Sequence, residues 1–347
     1  MSGIGIPTSY SLKTFRSLKG PLIDIRSPKE YKQGHWPGSH NIPLFDDEER
    51  ALIGSTYKRK GRESAVIAGL RLTSPKLEKI KNQLELQQSR STKSHLRIYC
   101  WRGGMRSASV GWLANALGLN PVLLSGGYKT YRRWAINQFE KKWPLRLLAG
   151  KTGTGKTPLL VELSKKGIFT IDLEGLANHK GSSFGGLGLG AQPSCEQFEN
   201  LLAQALHNSE VESSQAIWLE AESANLGKCR IPHKLFEQMK NARVLEITKS
   251  KNERIKILVD QYSRHKRSEL IDATVKISKR LGPQRTKQAI ESIEVGSWAD
   301  ACLAILEYYD KCYEHELKKI EHKETIDLSG LGNKSAIEKL IANGLMY

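Results

Sequence analysis

At 347 residues and 39% hydrophobic content, the chain is long for one domain and has apolar material for two ordinary cores. No stretch reaches the roughly 18 consecutive apolar residues of a membrane span, and the opening MSGIGIPTSYSLKTF has neither the basic start nor the apolar middle of a secretory signal, so a cytoplasmic protein is expected. A formal charge of +18, from 54 basic against 36 acidic residues, suits a polyanionic partner and would be odd for an enzyme acting only on neutral metabolites.

The first 125 or so residues alternate short apolar strands with helical patterns. GPLIDIRS reads as a strand ending at Arg26, LRIYC as a second strand, SASVGWLANALGL as a helix and PVLLSGG as a third strand. Strand, helix and strand with glycine stops imply a parallel α/β sheet. The basic, aromatic GGYKTYRRWAINQFEKKW reads as a linking helix, and a boundary near Gln138 to Pro144 divides the chain into domains 1–137 and 138–347. A new start follows at LRLLAGKTGTGKTPLLVELSKKG, a strand running into a glycine loop and an amphipathic helix. The strands IFTIDLE, QAIWLEAES and ARVLEIT come next, and from about residue 250 the pattern is mostly helical. Between Lys228 and Glu291, 17 Lys and Arg stand against 7 Asp and Glu, a sustained excess that favours a nucleic-acid footprint over one solvated helix face.

The five cysteines, Cys100, Cys195, Cys229, Cys302 and Cys312, are scattered and form no CxxC pair, which argues against a disulfide framework and a zinc site. Cys100 is distinguished by its setting, YCWRGGMRS. A thiol is a useful nucleophile only when ionised. Placed between strand and helix, Cys100 meets the loop N–H groups, the start of a helix near Ser107 and the guanidinium of Arg106, all of which stabilise negative charge. Gly103 and Gly104 let the loop curl into such a nest, and Arg102 adds a second cation. A cysteine that only fills a strand end has no use for two glycines and two arginines.

GKTGTGKT satisfies G-x-x-x-x-G-K-[ST] between a predicted strand and a predicted helix. Backbone N–H groups around Gly150, Gly153 and Gly155 would cradle a diphosphate, Lys156 would neutralise it, and Thr157 is suited to a metal-bound oxygen. Asp172, Glu174, Glu220 and Glu222 are candidate metal-binding acids, and each is equally open to being a strand-end carboxylate or a helix cap.

LIDIRSPKEYKQGHWPGSHNIPL resembles the rhodanese signature, and ARVLEITKSKNERIKIL resembles the late strand and helix of small P-loop kinases. The spacing Cys100-x5-Arg106 is one residue longer than in ordinary sulfurtransferases of the rhodanese fold and equals that of the cysteine phosphatases sharing it. The ordered set YCWRGGMRS, GGYKTYRRW, GKTGTGKT, DLEGLANHKGSSFG, QPSCEQFEN and LEAES closely resembles the tRNA 2-selenouridine synthase family over residues 20 to 250. Lys151 and Thr154 depart from it, where a smaller or apolar residue and a serine are expected.

That resemblance implies an α/β chain: an N-terminal rhodanese-like parallel-sheet domain, then a P-loop NTPase-like domain with a mostly helical, basic C-terminal region. It implies a transferase that replaces the sulfur of 2-thiouridine at the tRNA wobble position by selenium. Selenophosphate would be the donor, and geranyl diphosphate would first alkylate the sulfur. Cys100 would accept selenium as an S-selanylcysteine, Arg102 and Arg106 would hold phosphate, and the P-loop would bind the diphosphate of geranyl diphosphate. The basic region would hold the tRNA backbone, Trp101 would pack the loop, and His35 and His40 would steady the segment after the first strand. No tightly bound cofactor is expected. A Mg²⁺ requirement, the choice between geranyl diphosphate and ATP, and a role for His179 stay open at this point. So do an ATP-dependent tRNA sulfurtransferase and a Cys-x5-Arg phosphatase with a nucleotide-binding domain, while intact Cys100 and Lys156 speak against a non-enzymatic RNA-binding adaptor.

Overall fold

The structure is a computed structural model and describes residues 5–89, 94–212, 216–317 and 323–343. The chain forms two compact units, Met1–Asn137 and Gln138–Tyr347.

The first unit holds β1 (Ser9–Tyr10), β2 (Leu22–Asp24), β3 (Ser39–Asn41), β4 (Leu96–Tyr99) and β5 (Pro121–Leu124). They form one parallel sheet in the order β1-β5-β4-β2-β3. β2 and β5 are buried along their whole length, as expected of parallel strands covered on both faces; β5 is an unbroken apolar run, and β2 ends on the buried Asp24. Ile23, Ile98 and Leu123 lie in register across the sheet and pack with Leu84, Val110 and Ala114. β2 stops at Asp24 rather than Arg26, because the Arg26 amide donates to the Asp24 carboxylate at 2.9 Å instead of continuing the ladder. The helix Pro28–Gln33 then starts on a capping box, Ser27 with Glu30, and a proline in its first turn. The long helix Asp47–Thr73, broken at Gly61, and the helix Leu77–Ser89 separate β3 from β4. The helix after the cysteine loop spans Met105–Ala116, starting two residues before Ser107, and the linking helix spans Gly127–Gln138.

The second unit contains β6 (Leu145–Ala149), β7 (Thr170–Ile171), β8 (Ile217–Glu220), β9 (Asn225–Leu226), β10 (Cys229–Arg230), β11 (Arg243–Thr248) and β12 (Lys323–Asp327). Its parallel sheet runs β12-β11-β6-β8-β7, and β9 and β10 make an antiparallel pair. The C-terminal region is mostly helical, with Lys251–Tyr262, Arg267–Lys276, Pro283–Val295 and Trp298–Leu317, and it returns β12 to the sheet edge. Because β6 and β8 are neighbours with Leu148 beside Glu220, the glycine loop after β6 and the acids at the end of β8 share the C-terminal edge. This is the edge where open parallel sheets bind ligands. Among the described residues no helix is long and apolar enough to cross a membrane.

Candidate functional site

Each unit carries one candidate site. In the first, Cys100 follows β4 directly and is buried. Its Sγ lies 3.3 Å from the Ser107 hydroxyl, which in turn donates to the Gly104 carbonyl at 3.0 Å. The Tyr128 and Lys129 amides, at the start of the linking helix, donate to the carbonyls of Cys100 and Trp101 at 2.8 and 3.0 Å. The carbonyls leaving the cysteine are thereby engaged by the next helix. The amides of Trp101, Arg102, Gly103 and Gly104 make no hydrogen bond within the described residues, and the N-terminus of the helix Met105–Ala116 follows at once. Unpaired amides next to a helix start form an anion receptor.

The receptor depends on close backbone packing. Gly103 and Gly127 both have positive φ, and a Cβ on Gly127 would lie 2.3 Å from the Cys100 carbonyl oxygen and 2.5 Å from the Gly103 nitrogen. No side chain is tolerated there.

The arginines are placed differently from each other. Arg102 is exposed. Arg106 donates to the Glu30 carboxylate at 3.0 Å, and Arg50 approaches the same oxygen at 3.7 Å. Burial works to raise the Glu30 carboxyl, but the charge and hydrogen bond of Arg106, helped by the Ser27 amide, outweigh it and hold the group below its ordinary value. Glu30 is therefore an ionised partner. A partly exposed pair of this kind is worth about 0.2–1 kcal/mol, little enough for a bound oxyanion to take over the guanidinium.

Beneath the loop, Arg26 and Asp24 form a fully buried bidentate pair, and the Arg26 guanidinium lies 3.7 Å from the Tyr128 ring centre. Trp101 packs on Tyr128 with ring centres 5.7 Å apart. His35 stacks on Tyr31 at 3.8 Å, and His40 is exposed on β3. Asp24, Arg26 and Glu30 were not among the residues expected at the site. Their signals in the sequence are the strand-end LIDIRS and the S-P-K-E cap, and neither states which loop it supports.

In the second unit, the loop Gly150–Thr157 joins β6 to the helix Lys156–Lys165, with Gly155 as its left-handed N-cap. A Cβ on Gly150 would lie 2.8 Å from the Ile247 carbonyl oxygen, and one on Gly153 would lie 2.9 Å from that of Arg254. Lys156 Nζ donates to the Gly150 carbonyl at 3.0 Å, and Thr157 Oγ1 donates to Glu174 Oε2 at 3.1 Å. The two departures from the family pattern have structural uses. Lys151 pairs with Glu314 at 2.6 Å, and Thr154 is buried with its hydroxyl on the Lys151 carbonyl at 2.9 Å.

Of the four candidate acids, the structure brings three together. Oxygens of Glu174, Glu220 and Glu222 lie within 4.8 Å of one another. Asp172 instead caps the helix Leu173–Ala177, accepting from the Gly175 amide at 2.7 Å. Glu220 is completely buried, and neither carboxylate oxygen has a hydrogen-bond partner. Burial, then the charge of Glu222, pushes Glu174 up to about 7; burial, then the charge of Glu174, pushes Glu220 up to about 7. Hard oxygen donors with orphaned buried lone pairs beside a phosphate loop fit a divalent cation such as Mg²⁺. His179 shares this region, its amide donating to the Glu174 carbonyl at 3.0 Å, and burial lowers its pKa.

The cluster sets a pH dependence. Carboxyls raised above their unfolded values hold protons that the unfolded chain releases, so their contribution is complete below about 4.5 and is lost as pH rises through about 7. Without divalent cations, thermal stability is expected to fall over that window by on the order of 1–3 kcal/mol. Glu220→Gln is expected to flatten the fall, and Mg²⁺ to reverse it at pH 8. Melting curves across pH check this; a wild type insensitive to both pH and Mg²⁺ contradicts the cluster.

Comparison with known proteins places both units. Residues 143–343 match the family model described as the tRNA 2-selenouridine synthase AAA domain, and residues 11–133 match the rhodanese-like domain. The chain is 34% identical to the tRNA 2-selenouridine synthase of Hydrogenovibrio crunogenus, over 94% of this chain and 96% of that protein. It is also 34% identical to that of Marinobacter nauticus, over 86% and 88% of the two chains. To the one from Sulfurovum sp. it is 32% identical, over 90% and 93%.

Proposed function

The chain belongs to the tRNA 2-selenouridine synthase family, and from that premise we propose that it exchanges the sulfur of wobble 2-thiouridine for selenium in two steps, one at each site. The family is one of enzymes acting on tRNA, and the finer chemistry is proposed here. In the first step the 2-thiouridine sulfur attacks C1 of geranyl diphosphate, the C1–O bond breaks, and diphosphate departs onto the loop amides, Lys156 and Thr157. In the second, the Cys100 thiolate attacks the phosphorus of selenophosphate, the P–Se bond breaks, and the hydrogen selenide set free adds to C2 of the geranylated base, from which the sulfur leaves as geranyl thiol; water then releases phosphate from the cysteine. An S-selanylcysteine would need a two-electron oxidant, so Cys100 is the phosphoryl acceptor that frees selenide, with Arg102 and Arg106 as phosphate ligands and Gly103, Gly104 and Ser107 shaping the receptor. Glu174, Glu220 and Glu222 would hold a divalent cation that neutralises diphosphate charge.

The observation that carries the proposal is the run of four unpaired amides at Trp101–Gly104 next to a buried thiol, in a chain that also presents a phosphate loop. The loop length shared with cysteine phosphatases has a competing use, but hydrolysis of an alkyl phosphate needs a proton donor for the leaving oxygen. Glu30, the carboxyl bonded to Arg106, is held ionised and cannot serve.

The test is to withhold one substrate. Wild type given 2-thiouridine tRNA and geranyl diphosphate, without selenophosphate, is expected to accumulate geranylated nucleoside with one diphosphate released per nucleoside. Absence of the geranylated product, alongside selenium incorporation when only selenophosphate is supplied, would overturn the two-step order.

A further inference from the structure

A chamber of about 580 Å³, its mouth included, opens beside the phosphate loop. Thr152 of that loop lines it, together with Phe184, Leu258, Tyr262, Trp298 and Ala301. The two features share a wall. Arg254 Nε donates to the Thr152 carbonyl at 2.8 Å, and a Cβ placed on Gly153 would lie 3.1 Å from Leu258. Leu270, Ile293 and Ala301, which also line the chamber, come from three of the C-terminal helices and belong to their shared core.

The lining decides the class of ligand. It contains no Asp, Glu, Asn, Gln, Lys or Arg. The Tyr262 hydroxyl is engaged by Ser182, and the Tyr309 hydroxyl accepts from the Ser183 amide at 3.4 Å. Burial pushes the Cys302 thiol up to about 11 and Tyr262 up to about 12, as befits an apolar enclosure. The hydroxyls of Thr152, Ser182, Ser263, Tyr262 and Tyr309 are its main polar side-chain groups, and a nucleoside placed here would lose more hydration of its base edge and ribose hydroxyls than these few groups return. A hydrocarbon chain loses nothing.

We propose that this chamber houses the prenyl chain of an allylic diphosphate whose head sits in the loop Gly150–Thr157, and that its wall of C-terminal helices sets the accepted chain length. The inference rests on the diphosphate assignment of the phosphate loop and adds to it a place for the tail and a reason for rejecting nucleotides.

The experiment is calorimetric titration of the full chain with inorganic diphosphate, dimethylallyl, geranyl and farnesyl diphosphates, and ATP. Geranyl diphosphate is expected to bind about 100-fold more tightly than inorganic diphosphate, with a negative heat-capacity change from apolar burial. Ala301→Phe, which fills the chamber, is expected to remove that preference and leave inorganic diphosphate binding unchanged. Trp298→Ala, which enlarges it, is expected to shift the preference toward farnesyl diphosphate, and this gain decides the matter if Ala301→Phe fails to fold. If Lys156→Ala abolishes binding but neither chamber variant alters chain preference, the tail lies elsewhere and the inference falls while the diphosphate assignment stands. If wild type prefers ATP and does not distinguish prenyl from inorganic diphosphate, the diphosphate assignment falls with it.

Discussion

Cys100→Ala is expected to stop selenation, by about 10⁴-fold or more, while leaving geranylation of 2-thiouridine tRNA at the wild-type rate. The substitution removes one buried sulfur 3.3 Å from Ser107 and leaves untouched the backbone that forms the receptor, including the contacts of the Tyr128 and Lys129 amides. The variant should therefore fold, bind selenophosphate and accumulate the geranylated nucleoside. Cys100→Ser, which keeps shape and hydrogen bonding but lacks a comparable nucleophile, should be equally inactive. Parallel rate measurements of the two products check this. Wild-type selenation by either variant would remove Cys100 from the chemistry, and loss of both products would mean that the two steps are not divided as proposed.

Lys156→Ala is expected to produce the complementary defect, with geranylation lowered by about 10²–10³-fold. Lys156 Nζ rests on the Gly150 carbonyl at 3.0 Å, within the loop whose amides would receive the departing diphosphate. Losing this cation removes charge stabilisation where it develops most. Supplying tRNA already geranylated should bypass the defect, because the proposed selenium step does not use Lys156. Unchanged geranylation by Lys156→Ala would sink the assignment of the diphosphate to this loop, and failure of the bypass would show that the substitution damages more than one step.

The parts of this account that were legible in the sequence are those written in consecutive residues. Apart from Asp24 and Arg97, β2, β4 and β5 are apolar or aromatic because both faces of a parallel sheet are covered, and the loops at Cys100 and Gly150 announce themselves through glycines between strand and helix. What stayed hidden depends on contacts between distant segments. Glu30 and Arg106 are 76 residues apart, and no local pattern pairs them. Four acids stood equal until the pairing of β7 with β8 brought Glu174 to Glu220 and Glu222, while Asp172 became a cap. The helix Asp47–Thr73 buries only Ala65 and Gly69 and so carries no apolar stripe to reveal it. β12 has no fully buried residue, which is why KETID passed for part of a helical tail. The apolar chamber draws its lining from residues between Thr152 and Tyr309 and exists only in the folded unit.

The central claim, that this chain replaces the sulfur of 2-thiouridine by selenium, is tested most directly by mass spectrometry of nucleosides from 2-thiouridine tRNA incubated with the protein, geranyl diphosphate and selenophosphate. The account predicts 2-selenouridine in the wild-type reaction, dependent on both small substrates. Sulfur entering unmodified uridine, or 2-thiouridine recovered unchanged from folded protein with both substrates present, would contradict it.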